Sequence, residues 1–520
     1  MDIPVLIIGG GPTGLIASIA LSRFGVPSLL VERHPASSTF PKGRALSLRT
    51  MEVLRRYGLA ERVAAAGVPR TEGSHFFFGS SLTAPDHVRN GTTPDAERAP
   101  LSPALPAICS QDVLEPLLRA HAESLGPGTV RFGCEAVELA QDADGVTVRL
   151  ADRDGHASVV RAAHVIGADG AAGFTRRAVG IGMSGDTALT RNLNILFEAD
   201  LRAHVADRLS LVYTIASAEL TGTFMTVDNA RRWLFNLVRD PARPGQGEPA
   251  DIVRRAAGVP GLAVEVVATQ EWTAAALLAD RYRDGRVFLA GDAVHPMTPY
   301  GGFGMNCAIQ DADNLAWKLA AVHHGWAGPG LLNSYEAERR PVGADTVAES
   351  RRSLLATLDS TALVGGHDGD GDNGPRPTAR PSDGLVLGYA YDRPGCAVVP
   401  DGTAPPGGAD PIAVYRPTAR PGHRLPHHWT GGDRLSTLDL VGTGFTLLTG
   451  PKGQAWHEAE APGVPLRAHT VDDDVADALG IGAEGALLVR PDDQVAWRTG
   501  RLPADPAAEL SEALAVILGS

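Results

Sequence analysis

The sequence opens with a glycine-rich turn between an apolar strand and a helix, and this unit restricts the fold more than any other feature. Val5-Leu6-Ile7-Ile8 reads as a short buried strand, and Gly9-x-Gly11-x-x-Gly14 follows it directly. The apolar residues from Leu15 to Phe24 predict a helix, and a second strand then ends at Glu32. A β-α-β unit of this kind is typical of a buried parallel sheet, so we expect an α/β protein.

The three glycines have distinct predicted roles. Gly9 permits the tight turn, Gly11 lets a pyrophosphate approach the backbone, and Gly14 allows the helix to pack closely on the strand. The helix N-terminus offers N–H groups and positive potential to phosphates. Glu32 stands where an acidic residue binds ribose hydroxyls. A plain glycine turn is the alternative, but the strand, the helix and the terminal Glu together favour dinucleotide binding.

A second glycine-rich segment follows another short strand, Val287 to Ala290. Gly291-Asp292 comes directly after it, and residues 293–306 lead into a helix. An Asp at a strand end can accept hydrogen bonds from a polyol, and a glycine turn before a helix presents N–H groups to an anionic acceptor. An ordinary turn capped by Asp292 explains the segment equally well. Three weaker signals of the same kind are Gly167-Ala168-Asp169-Gly170, Lys42-Gly43-Arg44-Ala45 and Gln111.

The order of elements predicts a first domain that is discontinuous in sequence. Strand patterns dominate from about 190 to 275, between two stretches of α/β character. A Gly- and Pro-rich segment then interrupts the chain before β-type residues resume. The predicted division is a dinucleotide-binding domain of residues 1–75, 101–185 and 277–365, a β-sheet substrate domain of 76–100 and 186–276, a linker of 366–384, and a C-terminal domain of 385–520.

Composition argues against several classes of function. The formal charge is −13, so the chain lacks the basic surplus that a nucleic-acid partner favours. No apolar run approaches the roughly 18 residues of a membrane span, and no basic leader follows Met1. The four cysteines show neither metal-ligand nor C-x-x-C spacing. We therefore expect a cytoplasmic protein with no metal site, no membrane partner and no nucleic-acid partner.

The order of the motifs resembles that of a known family, the single-component flavoprotein aromatic hydroxylases of the p-hydroxybenzoate hydroxylase fold. Residues 1–360 carry this resemblance. The C-terminal segments 421–427, 435–439 and 444–448 are similar to those of the larger members, the aromatic polyketide hydroxylases of bacterial antibiotic pathways. The matching set is G-x-G-x-x-G, Glu32-Arg33, Gly43-Arg44-Ala45, Gln111, Asp169-Gly170 and Gly291-Asp292 with its tail.

The resemblance implies an α/β fold with a Rossmann-like, discontinuous FAD-binding domain, an inserted β-sheet substrate domain and a thioredoxin-like C-terminal domain without a redox dithiol. It also implies which residues hold FAD. These are Gly9, Gly11, Pro12, Thr13 and Gly14 at the pyrophosphate, Glu32 at the adenosine ribose, Arg33, Lys42, Arg44 and Gln111 along the adenine side, phosphates and ribityl chain, Asp169 and Asp292 near phosphate and ribityl oxygens, and Pro299, Gly302, Gly304, Met305 and Asn306 along the isoalloxazine.

The resemblance further implies a hydroxylation reaction. NAD(P)H binds transiently and reduces FAD, dioxygen adds at flavin C4a to give a hydroperoxide, and its distal oxygen passes to a phenolic ring of a polyketide. The chain is expected to act as a monomer or a homodimer. No residue is assigned as the base that would deprotonate the phenol. His295 and Tyr300 are candidates by their proximity to the second glycine segment, and a structural role is the alternative for both.

The substrate cavity is expected between the β-rich segment and the flavin. A broad aromatic wall would suit a flat polycycle, although ordinary sheet core is the alternative for each residue taken singly. The candidate wall residues are Phe76, Phe78, Tyr213, Phe224, Met225, Trp233, Phe235 and Phe303.

Two alternative functions stay open at the level of the sequence. The same flavin site could support Baeyer–Villiger oxidation or oxidative ring cleavage and rearrangement, because such reactions use the same flavin-binding residues. A third hypothesis is an FAD-binding enzyme that acts without net redox change. Ala172-Gly173, where the family commonly has Arg-Ser, and Phe303, where a Gln or a small residue is common, motivate this hypothesis.

Overall fold

The predicted β-α-β unit is present at the start of the chain. A computed structural model describes residues 2–69, 75–85, 87–228, 230–239, 247–365, 380–408, 410–432 and 435–519, with side chains left out from 360 to 365. The unit consists of β1 (Ile3–Ile8), α1 (Pro12–Arg23) and β2 (Ser28–Glu32). The two strands pair in parallel with Ile8 opposite Val31, and their apolar residues are buried.

These two strands belong to an eight-stranded sheet with the order β16-β17-β10-β1-β2-β7, to which β9 and then β8 are attached beside β10. The five strands β17, β10, β1, β2 and β7 run parallel, so their carboxyl ends share one edge, which is where α/β sheets bind ligands. The other strands are β7 (Gly128–Phe132), β8 (Cys134–Gln141), β9 (Val146–Asp152), β10 (Ala157–Gly167), β16 (Arg283–Asp284) and β17 (Val287–Leu289).

Helices cover this sheet and link its strands. The largest apolar core joins the sheet to α1 and to a long helix, α9, through side chains such as Ile7, Ile16 and Ile309. The helices after α1 are α2 (Leu48–Arg56), α3 (Ala60–Ala66), α4 (Asp95–Arg98), α5 (Gln111–Ser124), α6 (Phe174–Ala178), α7 (Arg202–Val205), α8 (Pro249–Ala257), α9 (Gly304–His323), α10 (Ser334–Gly365), α11 (Asp383–Leu387), α12 (Asp473–Ala478) and α13 (Pro506–Leu518).

A second sheet has seven strands in the order β15-β11-β14-β13-β12-β4-β5. Its neighbours are antiparallel except for β12 and β4. One face packs on α8, where Ile252 and Val253 share a core with Phe224 and Phe235. Its strands are β4 (His75–Gly79), β5 (Val88–Gly91), β11 (Met183–Glu198), β12 (Val212–Ala216), β13 (Thr221–Thr226), β14 (Arg232–Arg239) and β15 (Glu265–Ala279).

The C-terminal part contains a four-stranded mixed sheet in the order β21-β20-β22-β23, with α12 and α13 beside it. Only β20 and β21 pair in parallel. Two short pairs complete the strands, β3 with β6 and β18 with β19. The remaining strands are β3 (Ala45–Leu46), β6 (Ala107–Ile108), β18 (Trp429–Thr430), β19 (Leu435–Ser436), β20 (Phe445–Thr449), β21 (Leu466–Thr470), β22 (Ala486–Val489) and β23 (Val495–Thr499).

Buried ion pairs connect the C-terminal part to α2, α9 and α10. Glu52 accepts from Arg424, and Glu338 accepts from Arg490 and from Lys318. Five cations and five carboxylates take part among the described residues, so the formal charges balance. We call this set the junction network, and it consists of Arg49, Glu52, Arg56, Asp313, Lys318, Glu338, Arg424, Arg490, Asp492 and Asp493.

The predicted fold class is confirmed. The chain passes from β10 of the first sheet into β11 of the second and returns through β16, so the α/β region is interrupted by an inserted β-sheet. The C-terminal part is a mixed four-stranded sheet with helices beside it, and its thioredoxin-like type stays a prediction. Of the predicted linker, residues 366–379 lie outside the described residues, and α11 begins at Asp383. Within the described part of the chain, no helix has the length and apolarity needed to cross a bilayer.

Candidate cofactor and substrate site

The three glycines of the turn differ in what surrounds them, and one of them leaves space for a ligand. Gly9 has φ +113°, and a Cβ there would lie 2.3 Å from the Ala168 carbonyl oxygen. A Cβ on Gly14 would lie 1.9 Å from the Gly9 carbonyl oxygen. A Cβ on Gly11 would meet no described atom within 4 Å. The first and third glycines are therefore required by the fold, while the surface at Gly11 is open for a bound group.

The carboxylate of Glu32 is held against this turn. One oxygen accepts from the Gly10 N–H at 2.7 Å, and the other accepts from the His34 N–H at 2.8 Å. Pro12 and Thr13 form the first residues of α1, and Arg33 beside Glu32 is exposed. The side chain of Glu32 is 14% exposed, so its position is defined while part of it stays accessible to a ribose.

Three parallel strands end side by side at the turn. Ala168 N–H donates to the Ile8 carbonyl, and Ala290 N–H donates to the Gly167 carbonyl, at 2.8 and 3.0 Å. A Cβ on Gly291 would lie 2.6 Å from the Thr13 hydroxyl oxygen. The glycine turn, the Asp169 segment and the second glycine segment, which are far apart in sequence, thus form one edge.

Asp169 supports its own loop. Its Oδ2 accepts from the N–H and the hydroxyl of Thr175, at 2.8 and 2.9 Å, which fixes the start of α6. Its Oδ1 is buried beside Gly173 and has no hydrogen-bond partner among the described residues. Burial raises the pKa of this carboxyl. The expected contact of Asp169 with the cofactor is therefore through its position next to Gly9, and its side chain holds the loop.

Asp292 follows β17 at the carboxyl edge of the first sheet, and we call the space between this edge and the second sheet the cleft. Its side chain is solvent-accessible, yet the surrounding protein raises the pKa of the carboxyl by burial, against the charges of His295 and Lys42. Both properties hold only where a group is open to solvent on one side and enclosed on the others. A polyol hydroxyl in the cleft could donate to the accessible side of this carboxyl.

The start of α9 is tied to the segment before α2. The Asn306 side-chain oxygen accepts from the Ser47 N–H at 2.9 Å, and its amide donates to Ala45 and Gly302 carbonyls at 2.8 and 2.7 Å. The first helical hydrogen bond of α9 runs from the Cys307 N–H to the Phe303 carbonyl. The N–H groups of residues 304–306 therefore belong to the open first turn, which favours an anionic acceptor.

Gly43, Gln111 and Met305 meet at the same place. The Gln111 N–H donates to the Gly43 carbonyl at 2.7 Å, and a Cβ on Gly43 would lie 3.5 Å from the Met305 methyl carbon. Lys42 is exposed nearby. Pro299 and Gly302, the latter with φ +68°, shape the loop that leads to Gly304 and α9. The predicted isoalloxazine residues thus form one loop and one helix start.

Arg44 points toward the second sheet. One guanidinium nitrogen donates to the Thr226 carbonyl, and Nη2 is buried without a partner among the described residues. Burial lowers the pKa of this guanidinium to about 10, so it stays charged at neutral pH. A buried cation with an unused donor fits an anionic or strongly polar ligand in the cleft between the two sheets.

The two candidate bases have different surroundings. His295 is fully buried and pairs with Asp311 at 2.7 Å, and Arg339 binds the other oxygen of Asp311 at 2.7 Å. Burial lowers the pKa of His295, but Cys307 and Asp311 outweigh this effect and raise it well above its usual value. One ligand-type atom from each of His295, Cys307 and Asp311 lies within 4.8 Å of the other two. Because the Arg339 guanidinium also binds Asp311, we assign this cluster a structural role and not a metal.

Tyr300 lies in the loop before α9. Burial raises the pKa of its phenol to about 12, while the nearby Thr223 side chain acts in the opposite direction. The phenol is therefore protonated at neutral pH. Thr223 belongs to β13, so this contact places one face of the second sheet opposite the loop. We call that face the site face.

The structure separates the predicted wall residues into two sets. Tyr213, Phe224, Trp233 and Phe235 lie in the core on the opposite face, beneath α8, and are at most 2% exposed. Side chains alternate along a strand, so these residues do not reach the site face. Of the predicted wall residues in the second sheet, Phe76, Phe78 and Met225 lie on the site face, where all three are partly exposed.

Phe303 takes another position. It is 6% exposed, and its ring lies 2.1 Å from where a Cβ on Gly301 would stand. The ring is therefore packed on its own loop. Residues of the site face that sequence reasoning missed are polar or aliphatic, and strict alternation with the aromatic core residues is the signal that identifies them: Asn194, Leu196, Thr214, Thr223, Leu234 and Asn236.

Fold and site together define a class of protein. A parallel sheet with a ligand-ready glycine turn, an acidic residue after the second strand and a second glycine segment before a long helix is typical of dinucleotide-binding proteins. The inserted second sheet faces that cleft with its partly exposed side. The donors are backbone N–H groups, a guanidinium, hydroxyls and carboxylates, which suit the phosphates and polyol of FAD.

Comparison with known proteins identifies the family. Residues 2–350 match the family model described as an FAD binding domain, and residues 418–520 match the aromatic-ring hydroxylase C-terminal domain. A 4-methyl-5-nitrocatechol 5-monooxygenase from Burkholderia sp is 37% identical over 100% of this chain and 98% of its own length. The chain belongs to the FAD-dependent aromatic-ring hydroxylases, and it is an FAD-dependent monooxygenase.

Two further matches cover the full chain. A tetracenomycin B2 monooxygenase-dioxygenase from Streptomyces olivaceus is 37% identical, and the match spans 100% of this chain and 99% of that protein. The crystal structure of an aklavinone-11 hydroxylase with FAD and aklavinone has a TM-score of 0.86 and 36% identity, covering 100% of this chain and 99% of the other. The C-terminal part is therefore included in the similarity.

Proposed function

We propose that this monooxygenase hydroxylates a phenolic, polycyclic aromatic polyketide of an antibiotic pathway, with NAD(P)H as electron donor and dioxygen as oxygen source. The observation that carries the proposal is that two surfaces meet, joined where Arg44 donates to the Thr226 carbonyl of β13. One side presents the three strand ends and the first turn of α9, and the other presents the partly exposed site face of a wide sheet. The names of the tetracenomycin and aklavinone relatives support this substrate class.

The chain's own residues would hold FAD along this edge. The pyrophosphate would lie at Gly11 and the start of α1, where the backbone leaves space and the helix offers N–H groups. Glu32 would bind the ribose, and Asp292 would accept from ribityl hydroxyls. The open N–H groups of Met305 and Asn306 would donate to the O2 edge of the flavin. When bound and reduced, FAD supplies the activation of dioxygen.

The protein's part in the reaction is orientation and exclusion of water. The loop from Pro299 to Gly302 and the site face would enclose the substrate ring between them. Tyr300 stays protonated near neutral pH, so it would orient a substrate oxygen by hydrogen bonding and would not act as a base. His295 has no exposed surface and would hold the loop through Asp311.

A matched pair of glycine variants tests the cofactor site. Gly11→Ala adds a methyl group only where a ligand would lie, so we expect a folded protein with at least tenfold weaker FAD binding. Gly14→Ala places its methyl group 1.9 Å from a backbone oxygen, so we expect loss of stability as well. FAD content and thermal unfolding of the apoprotein separate the two effects. Normal FAD affinity in Gly11→Ala would contradict the proposed pyrophosphate position.

A transient-kinetic experiment tests the reaction. The purified holoenzyme is mixed with NADPH or NADH without oxygen, with and without a polycyclic phenol, and flavin absorbance is followed. We expect reduction that is faster with the phenol. Turnover in labelled dioxygen should then add one labelled oxygen atom to the ring. Insertion beside a ketone or a cleaved ring would favour the alternative oxidations, and an unchanged product mass would overturn the proposal.

A further inference from the structure

The register of the second sheet aligns four polar side chains in one row. Thr214 of β12 is opposite Thr223 of β13, Thr223 is opposite Asn236 of β14, and Asn236 is opposite Asn194 of β11. Residues directly opposite one another on neighbouring strands point to the same face of a sheet, so all four side chains lie on the site face with Thr223. We call this row the polar ladder.

The ladder is unusual for a buried strand position. Asn is depleted in strands, yet here two Asn face each other at the centre of a sheet, and Asn236 is only 7% exposed. The Asn236 amide donates to the Asn194 side-chain oxygen at 2.7 Å. An amide side chain carries two N–H donors and an acceptor oxygen, so this single contact leaves hydrogen-bonding capacity on both residues.

The rows beside the ladder are apolar on one side. Two positions along the strands, Met225 is opposite Leu234, and Leu234 is opposite Leu196. Leu196 and Leu234 form a small apolar cluster, against which Phe40 and Met225 pack. Leu196 and Leu234 are only 2% and 3% exposed, so the accessible apolar surface beside the ladder is that of Met225, on which the edge of a flat aromatic ring could rest.

The ladder also reaches the flavin side of the cleft. Tyr300, in the loop before α9, lies near enough to Thr223 for that side chain to lower the pKa of its phenol. Thr223 is an inner member of the row, so the loop lies beside the ladder. Every group of the ladder is neutral, and neutral donors suit carbonyl and phenol oxygens better than carboxylates or phosphates.

We propose that the polar ladder recognises the oxygen substituents along one edge of the substrate, so that it selects polycycles bearing several phenol or quinone oxygens. Adjacent strands are about 4.8 Å apart, so the row offers hydrogen-bonding groups at regular intervals across four strands. A rigid fused ring system carries its oxygens at fixed intervals along an edge. This inference rests on the proposed function and adds which part of the substrate the sheet contacts.

Equilibrium binding to the holoenzyme, without NAD(P)H, tests the ladder. The two probes are a dihydroxyanthraquinone and anthraquinone without hydroxyl groups, and the readout is the change in flavin absorbance on titration. In the wild type we expect the hydroxylated probe to bind more tightly. Asn236→Leu replaces the amide by an apolar side chain of similar volume. It should lower the affinity for the hydroxylated probe about tenfold and leave the affinity for anthraquinone nearly unchanged.

Asn192→Leu is the matched control. It lies two residues before Asn194 on the same strand and face, but its amide donates to the Thr190 carbonyl and hydroxyl oxygens of its own strand. We expect it to keep the wild-type ratio of the two affinities. Thr223→Val removes one hydroxyl at almost constant volume, and it should lower the ratio even if Asn236→Leu fails to fold.

Failure of this inference and failure of the proposed function are distinguishable. An unchanged affinity ratio in folded, FAD-loaded Asn236→Leu and Thr223→Val would overturn the ladder, whatever the turnover. A ladder-dependent ratio without oxidation of any polycyclic phenol would support recognition and overturn the proposed reaction. A wild type that does not prefer the hydroxylated probe would overturn the inference directly.

Discussion

Two buried polar regions of this protein contrast with each other, the site face of the second sheet and the junction network beneath the C-terminal part. The site face carries neutral hydroxyls and amides, of which Asn194 and Thr223 are partly exposed while Thr214 and Asn236 are buried. The junction network carries full charges, and its members are almost completely enclosed. The groups of the site face are neutral, so leaving them unpaired costs far less than leaving a buried charge unpaired.

The junction network also serves the site indirectly. Glu338 accepts from Asn314 and Lys318 of α9, from Arg490, and from the Ala397 N–H, at 2.6 to 2.9 Å. The first turn of α9 faces the cleft, and these contacts fix a later part of the same helix against the C-terminal part. The C-terminal part therefore positions the helix start to which we assign flavin binding.

The largest expected effect is on stability, from breaking the charge balance at Glu338. Glu338→Gln leaves Arg490 and Lys318 buried with one carboxylate fewer, so we expect a loss of about 4 kcal/mol in the free energy of unfolding. Urea titration followed by circular dichroism measures it. Glu271→Gln, which breaks an exposed pair with Arg239, is the control and should show no measurable change. A small effect in Glu338→Gln would contradict the structural role of the network.

The next effect separates the two faces of the second sheet. Phe235→Ala removes a fully buried ring from the core beneath α8, so we expect about 3 kcal/mol of destabilisation and little change in KM. Met225→Ala acts on the site face, where the side chain is partly exposed, and should cost about 1 kcal/mol while raising KM. Steady-state kinetics with unfolding curves measure both. If KM rose in Phe235→Ala and not in Met225→Ala, Phe235 and not Met225 would line the substrate cavity.

Acid should weaken the junction network and leave the neutral ladder unchanged. Burial alone would raise the pKa values of Glu52 and Glu338, but Arg424 and Arg490 lower them below the usual 4.5. Their stabilisation is therefore present above pH 4.5 and is lost as the pH falls through the folded-state pKa. The midpoint temperature of thermal unfolding should therefore fall when the pH is lowered below about 4.5. Glu338→Gln should show a smaller drop, and an equal drop would assign the acid sensitivity to other groups.

The smallest expected effect concerns Tyr300. With a pKa of about 12 its phenol does not titrate near neutral pH, so Tyr300→Phe should leave the shape of the kcat profile unchanged between mildly acidic and mildly basic pH. We expect turnover to fall less than tenfold, through the lost contact with Thr223. If the acidic or the basic fall in the pH dependence of kcat disappeared in Tyr300→Phe, this residue would be a proton acceptor in the reaction.

Local patterns predicted the cofactor edge well. The glycine spacing, the apolar strands and Glu32 each act over a few residues, and Gly9, Gly11 and Gly14 have the conformations and surroundings that such a turn requires. The wall of the substrate site was harder to predict. Phe224 and Met225 are adjacent in sequence and belong to opposite faces, so residue type alone could not decide which of them faces the cleft.

The sequence by itself therefore determined the fold class, the family and the segments that bear on FAD, because these depend on short-range spacing and on the order of motifs. Tertiary structure alone decided which face of the second sheet meets the cleft, that His295 is enclosed with Asp311 and Arg339, and that charges hundreds of residues apart neutralise one another in the junction network. These outcomes depend on register and long-range packing. A linear pattern carries no information on which distant side chain will supply the missing partner.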